Sequence, residues 1–192
     1  MRKIISFMHI SMDGFVSGPN GELNWAKVDQ ELFDYVGNRI QKGDTALYGR
    51  KTYQMMESYW PDAGKQPDAT KHDIEHSKWY NNVHKIVLSK TLQGTQLPDT
   101  TIISENLADK IHAIKKQEGE DILVFGSPTA THSLMKENLI DGFWLFLNPV
   151  ILAQGISLYE HITNRINLKR LPATQLFSNG VVELNYEVDK SI

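Results

Sequence analysis

Short apolar runs of strand length, each closed by glycine or a turn-forming cluster, alternate with segments of helical spacing, and this alternation limits the fold more than any other feature. Residues 4–10 form the first run and end in the polar, glycine-bearing cluster 11–20. Leu32, Phe33, Val36 and Ile40 then share one helical face, with Asp29 placed as N-cap and Gly43 as stop. A strand over 45–48 runs through Gly49 into a helix over 50–57. The polar stretch 61–82 predicts one short helix near 74–80. Strands follow over 83–88 and 101–104, then a helix over 106–118 capped by Asn106 and ended by Gly119. Residues 122–125 are wholly apolar, Ser127-Pro128 reads as an N-cap with proline at the first helical position, and residues 143–147 return as a strand. After Pro172, Val182, Leu184, Tyr186 and Val188 alternate with polar residues beyond Asn179-Gly180, the mark of a hairpin. The expected class is α/β with a mostly parallel central sheet and an antiparallel C-terminal hairpin, read as one domain over 1–192. Such sheets bind ligands beyond the carboxyl ends of their strands.

Composition narrows the function. Twenty basic against 23 acidic residues give a net charge of −3, without the basic excess that nucleic acid or an anionic membrane would attract. There is no cysteine, so disulfides, thiolate catalysis and thiolate metal sites are excluded, and a reducing cytoplasm suits the chain. The longest apolar run, 143–153, is broken by Asn148 and Pro149 and falls short of the ~20 residues of a membrane span. The N-terminus meets His9 and Asp13 too early for a signal peptide. A small-molecule site and a cytoplasmic location are the expectation.

Two strand-to-helix junctions carry phosphate-binding chemistry. In LYGRKTY, Gly49 lets the chain turn, and Arg50, Lys51 and Thr52 place two cations and a hydroxyl in the first helical turn. Cations there oppose the helix dipole by roughly 0.3–1 kcal/mol each, which points to a bound anion or to two solvated surface cations. In ILVFGSPTATHSL, Gly126 ends a strand and Ser127, Thr129 and Thr131 crowd the next turn, as a diphosphate lining or as simple capping. Ser89, Lys90 and Thr91 repeat the cation-and-hydroxyl pattern at a third strand end. None of these is a Walker loop or GxGxxG.

The ordered set Ser11-Met12-Asp13-Gly14, GRKTY at 49–53, KIVLSKTL at 85–92, VFGS at 124–127 and LIDGFWLFLNPVILAQG at 139–155 resembles the dihydrofolate reductase superfamily. The likeness is to bacterial members related to the reductase domain of the riboflavin-biosynthesis deaminase–reductase. It covers nearly the whole chain. It implies a dihydrofolate reductase-like three-layer fold, NADPH as cofactor and a homodimer. By similarity Gly49, Arg50, Lys51 and Thr52 meet the cofactor phosphates, Ser89, Lys90 and Thr91 flank the 2′-phosphate, and Gly126, Ser127 and Thr129 lie at the diphosphate. Many members carry Gly-Gly where this chain has Gly126-Ser127, and the Asp-Asn-Pro stretch of the riboflavin enzymes is absent at GRKTY.

The implied activity is hydride transfer to a small pterin, aminopyrimidine or related imine or carbonyl compound, similar to 5-amino-6-(5-phosphoribosylamino)uracil reductase or dihydrofolate reductase. The glycine-bearing loop 11–24 is the expected lid. Asp13 is a proton donor, an orienting group or a turn residue, and Asp29 a substrate-binding acid or an N-cap. Trp25 and Phe33 are the candidates to stack a heterocycle, Phe33 also fitting the helix core. A non-catalytic NADP-binding module is the alternative. A remote one is a zinc hydrolase through His72, Glu75 and His76, which spell H-x-x-E-H; the other histidines, His9 among them, show no ligand spacing.

Overall fold

The computed structural model describes every residue except His161, Ala173 and Ile192. Its elements in chain order begin β1 (Ile4–Ser11), β2 (Phe15–Ser17), α1 (Gln30–Ile40), β3 (Thr45–Gly49), α2 (Arg50–Glu57), α3 (Trp60–Ala63) and α4 (Lys71–Asn82). They continue with β4 (His84–Leu88), β5 (Thr100–Ile103), α5 (Leu107–Lys115), β6 (Ile122–Phe125), α6 (Pro128–Lys136) and β7 (Gly142–Asn148). The last are β8 (Ile156–Ser157), β9 (Leu168–Arg170) and β10 (Val182–Val188). The central sheet is mostly parallel. Two compact units divide the chain: Met1–Arg2 with Asp29–Leu123, and Lys3–Val28 with Val124–Ile192.

In the first unit the strand order is β5-β4-β3-β6, and β3–β4 and β4–β5 pair in parallel. Thr45 to Tyr48 are all buried, as strands covered on both faces require. Asp29 caps α1 by accepting from the Leu32 N–H at 3.0 Å, and Leu32, Val36 and Ile40 form its buried stripe. The helix expected near 74–80 instead starts at Lys71, because Thr70 and Asp73 close a reciprocal capping box. A separate short α3 precedes it. Asn106 takes a left-handed backbone (φ 52°) and makes no side-chain cap, against expectation.

In the second unit the order is β6-β1-β7-β10-β9. β1 and β7 run parallel in the register Ile5↔Gly142 to Ser11↔Asn148, while β10 is antiparallel to β7 and to β9. The turn at Asn179-Gly180 forms, and the arm before it joins β10 through the bridge Leu176↔Val182 and a Glu183 N–H to Gln175 carbonyl bond at 2.8 Å, without a strand of its own among the described residues. The longer partners of β10 are β7 and β9. Its faces are also the reverse of the alternation: Glu183 is 1% exposed, while Val182 and Leu184 are half-buried. A buried indole explains this, since Trp144 Nε1–H donates to Glu183 Oε1 at 2.6 Å. Among the described residues no helix is long and apolar enough to cross a membrane.

Candidate functional site

In the first unit, two of the expected pieces meet. β3 and β4 are neighbours with Gly49 opposite Leu88, so α2 and the turn Ser89–Thr91 leave the sheet side by side at its carboxyl end. Gly49 is the extended N-cap of α2 and supplies no side chain, and no acid occupies the first turn. The leading N–H groups of α2 are left without helical partners beside the Arg50 and Lys51 cations. Arg50 is held by Gln54, its guanidinium donating to Oε1 at 3.0 Å. Ser89 is buried, and its Oγ accepts from the Leu92 N–H and lies 3.2 Å from the Thr91 hydroxyl. This local turn leaves Lys90 and Thr91 exposed.

In the second unit, β6 opens into α6 through consecutive left-handed residues, Gly126 (φ 52°) and Ser127 (φ 55°). Ser127 does not cap the helix with its side chain, as expected of it; its hydroxyl donates back to the Phe125 carbonyl at 2.9 Å. Pro128 holds the first helical position, and again no acid lies in the first turn. Thr129 is exposed, while Thr131 is fully buried with its hydroxyl unpaired among the described residues. A bare helix start with an orphaned buried hydroxyl fits a diphosphate group.

The loop after β1 is fastened over its first half, not free as a lid would be. Asp13 accepts from the Leu152 and Ala153 N–H groups at 3.1 and 2.8 Å and from the Ser11 hydroxyl at 2.6 Å. These donors, the Ser11 hydroxyl foremost, hold its carboxyl below the usual range. Asp13 is thus an ionised acceptor that ties the end of β1 to residues 152–153. β2 pairs with β8, and a Cβ on Gly155 would stand 2.2 Å from the Ser17 carbonyl oxygen, so only glycine permits that pairing. Residues 18–24 fold back on themselves, the Gly18 N–H donating to the Glu22 carbonyl at 2.9 Å and the Asn20 N–H to the Glu22 carboxylate at 2.8 Å. Trp25 is half-buried and donates to the Glu22 carbonyl at 3.1 Å.

Asp29 spends its side chain on the α1 cap, and the Phe33 ring is stacked by His72 at 3.9 Å and 11°. That stack also answers the H-x-x-E-H string. His72 packs between Phe33 and Trp60, and His76 between Trp60 and Trp79. Burial, reinforced by His72, drives the His76 pKa down to about 3. Among the described residues no three candidate ligands converge on a metal position.

Sequence reasoning passed over His9. On β1 it lies across from Phe146 of β7, and Asn148 Nδ2 approaches its Nδ1 at 3.2 Å. Burial lowers its pKa to about 4, so the ring is neutral at pH 7. The only prior signal was a polar residue near the end of an apolar strand.

The chain is similar to a known protein family and to several known proteins. The family model "RibD C-terminal domain" matches residues 2–182. The Bacillus subtilis (strain 168) protein YyaP, named as uncharacterized, is 34% identical over 188 residues, covering 96% of this chain and 94% of that one. Among solved structures, a candidate riboflavin biosynthesis protein from Shewanella sp. PV-4 superposes with a TM-score of 0.69 at 18% identity, over 98% of this chain and 99% of that one. A deaminase/5-amino-6-(5-phosphoribosylamino)uracil reductase from Thermotoga maritima gives 0.63 at 11% identity, over 98% of this chain and 57% of the longer one. The fold is the dihydrofolate reductase-like one that the sequence motifs resemble, and the chain belongs to the RibD C-terminal domain family.

Proposed function

We propose that this chain is an NADPH-dependent reductase acting on a small heterocycle of the aminopyrimidine or pterin class. One observation carries the reading. α1, α3, α4 and α5 each have an acid in the first turn, whereas α2 and α6, the two helices expected to meet phosphate, have none. An acid there stabilises an empty helix start and repels an anion, so its absence at these two fits a phosphate ligand. The Thermotoga maritima structural relative, a deaminase/5-amino-6-(5-phosphoribosylamino)uracil reductase, supports the substrate class.

In this reading Arg50 and Lys51, with Ser89, Lys90 and Thr91, receive the doubly charged 2′-phosphate end, which selects NADPH over NADH. Gly126, Ser127 and Thr129 receive the diphosphate through backbone N–H groups and hydroxyls. Bound NADPH supplies the hydride; the chain supplies alignment and exclusion of water. Asp13 keeps the 150–153 stretch in place beside the end of β1, and Trp25 offers a face to the heterocycle. The same reading has the chain act in the cytoplasm, as a single domain and as a homodimer. The half-buried row Val182, Leu184 and Tyr186, with Leu176 69% exposed, supports a subunit contact.

Titration followed by nicotinamide fluorescence tests the cofactor: NADPH should bind more tightly than NADH, and tighter NADH refutes the reading. Loss of NADPH absorbance with the ribosylaminouracil phosphate or with dihydrofolate then tests turnover. Binding without turnover of either would favour the non-catalytic module.

A further inference from the structure

Asn148 fixes the tautomer of His9. Its Oδ1 accepts from the Lys27 N–H at 2.7 Å, and its Nδ2 donates to the Phe146 carbonyl at 2.9 Å. A backbone N–H only donates and a carbonyl only accepts, so these two bonds allow one orientation of the amide. The second hydrogen of Nδ2 then faces His9 Nδ1 at 3.2 Å. Nδ1 must hold a lone pair, and the one hydrogen of the neutral ring sits on Nε2. Phe146 packs on the ring at 5.6 Å between centroids and restrains its rotation.

Nε2–H has no acceptor among the described residues, and His9 is part-exposed. It stands two residues before the end of β1, where parallel strands present their ligands. Asn148 also anchors the backbone at Lys27, next to the segment carrying Trp25. A held, neutral donor near the carboxyl end of a parallel strand is suited to reading one edge of a flat heterocycle.

We propose that His9 is a specificity residue of the substrate site, presenting Nε2–H to an acceptor atom of the substrate, a carbonyl oxygen or a pyridine-type ring nitrogen. The identity of that substrate rests on the reductase reading; the direction of the hydrogen bond does not. A heterocycle offering an N–H at this edge is turned away, since two donors would meet. His9 holds its proton throughout and transfers none.

Nitrogen-15 NMR of the full chain at pH 7, with 5,6-diaminouracil as probe, tests this. His9 Nε2 should appear as a protonated nitrogen, Nδ1 as a bare one, and Nε2 should shift as the probe is added. His9→Phe should bind the probe at least about tenfold more weakly, from loss of one hydrogen bond to a buried acceptor. His9→Gln, whose amide nitrogen can take the place of Nε2, should recover binding to within about threefold. A ring protonated on Nδ1, an Nε2 resonance that the probe leaves unmoved, or probe binding by His9→Phe equal to wild type overturns the proposal. The wild-type spectra decide the matter even if His9→Phe does not fold. NADPH titrated into the same wild-type samples separates the two readings: no binding there removes the reductase assignment, whereas the probe and the spectra still judge His9.

Discussion

Gly49 and Gly126 each end a parallel strand and open a helix, but the backbones differ. Gly49 is extended (φ −79°) and hands over to the cations Arg50 and Lys51. Gly126 is left-handed, is followed by a second left-handed residue, and hands over to hydroxyls. In the proposed reductase the first junction would hold phosphate through side-chain charge, which discriminates between anions by their charge. The second would hold it through backbone shape, which accepts any diphosphate. Two histidines differ in a similar way: His76 is buried and wedged among aromatic rings, while His9 is part-exposed and oriented by the Asn148 amide.

The largest effect should come from acid. His76 binds a proton only near pH 3 when folded but near 6.5 when unfolded, so its contribution is intact above pH 6.5 and is lost as pH falls toward 3. At pH 4 the loss from this one group is roughly 3 kcal/mol, and His76→Phe should flatten the fall in a pH series of urea melts. An unchanged slope would place the acid sensitivity elsewhere. Next, Arg50→Ala should weaken NADPH by about 10–100-fold, the range for a charge-assisted bond to phosphate, and leave NADH within about twofold. Equal losses for both nucleotides would erase the distinction between the junctions. Gly126→Ala should cost about 1–2 kcal/mol in stability, from a side chain forced into the left-handed region, and weaken both nucleotides alike. The smallest change is the sharpest. Thr129→Glu adds the missing acid to α6 and should raise the stability of the empty protein by about 0.3–1 kcal/mol while weakening NADPH. If stability rises and affinity holds, that helix start does not meet phosphate.

What was legible in the sequence was whatever is decided within a few residues. The bounds of α2, the Asp29 cap and the apolar β6 depend on neighbours three or four positions away, and the structure has them as expected. Ser127 and Asn106 misled because a polar residue before a helix can cap it or can enter the left-handed region, and only the chain path decides which. The inward turn of Glu183 could not be seen, since its reason is the Trp144 indole on another strand. Leu168–Arg170 is exposed throughout and so has no alternation to read. For the site, glycines, cations and hydroxyls at strand ends were plain. The partners of Asp13 and His9 lie near residue 150, and no local pattern announces them.

The pairing of β1 with Gly142–Asn148 has a consequence for synthesis. β1 pairs with a strand far along the chain, so this part of the sheet closes late and through contacts of long sequence separation. Until β7 is made, the edge of β1 that it covers stays unpaired. Chaperone demand should therefore peak just before β7 emerges.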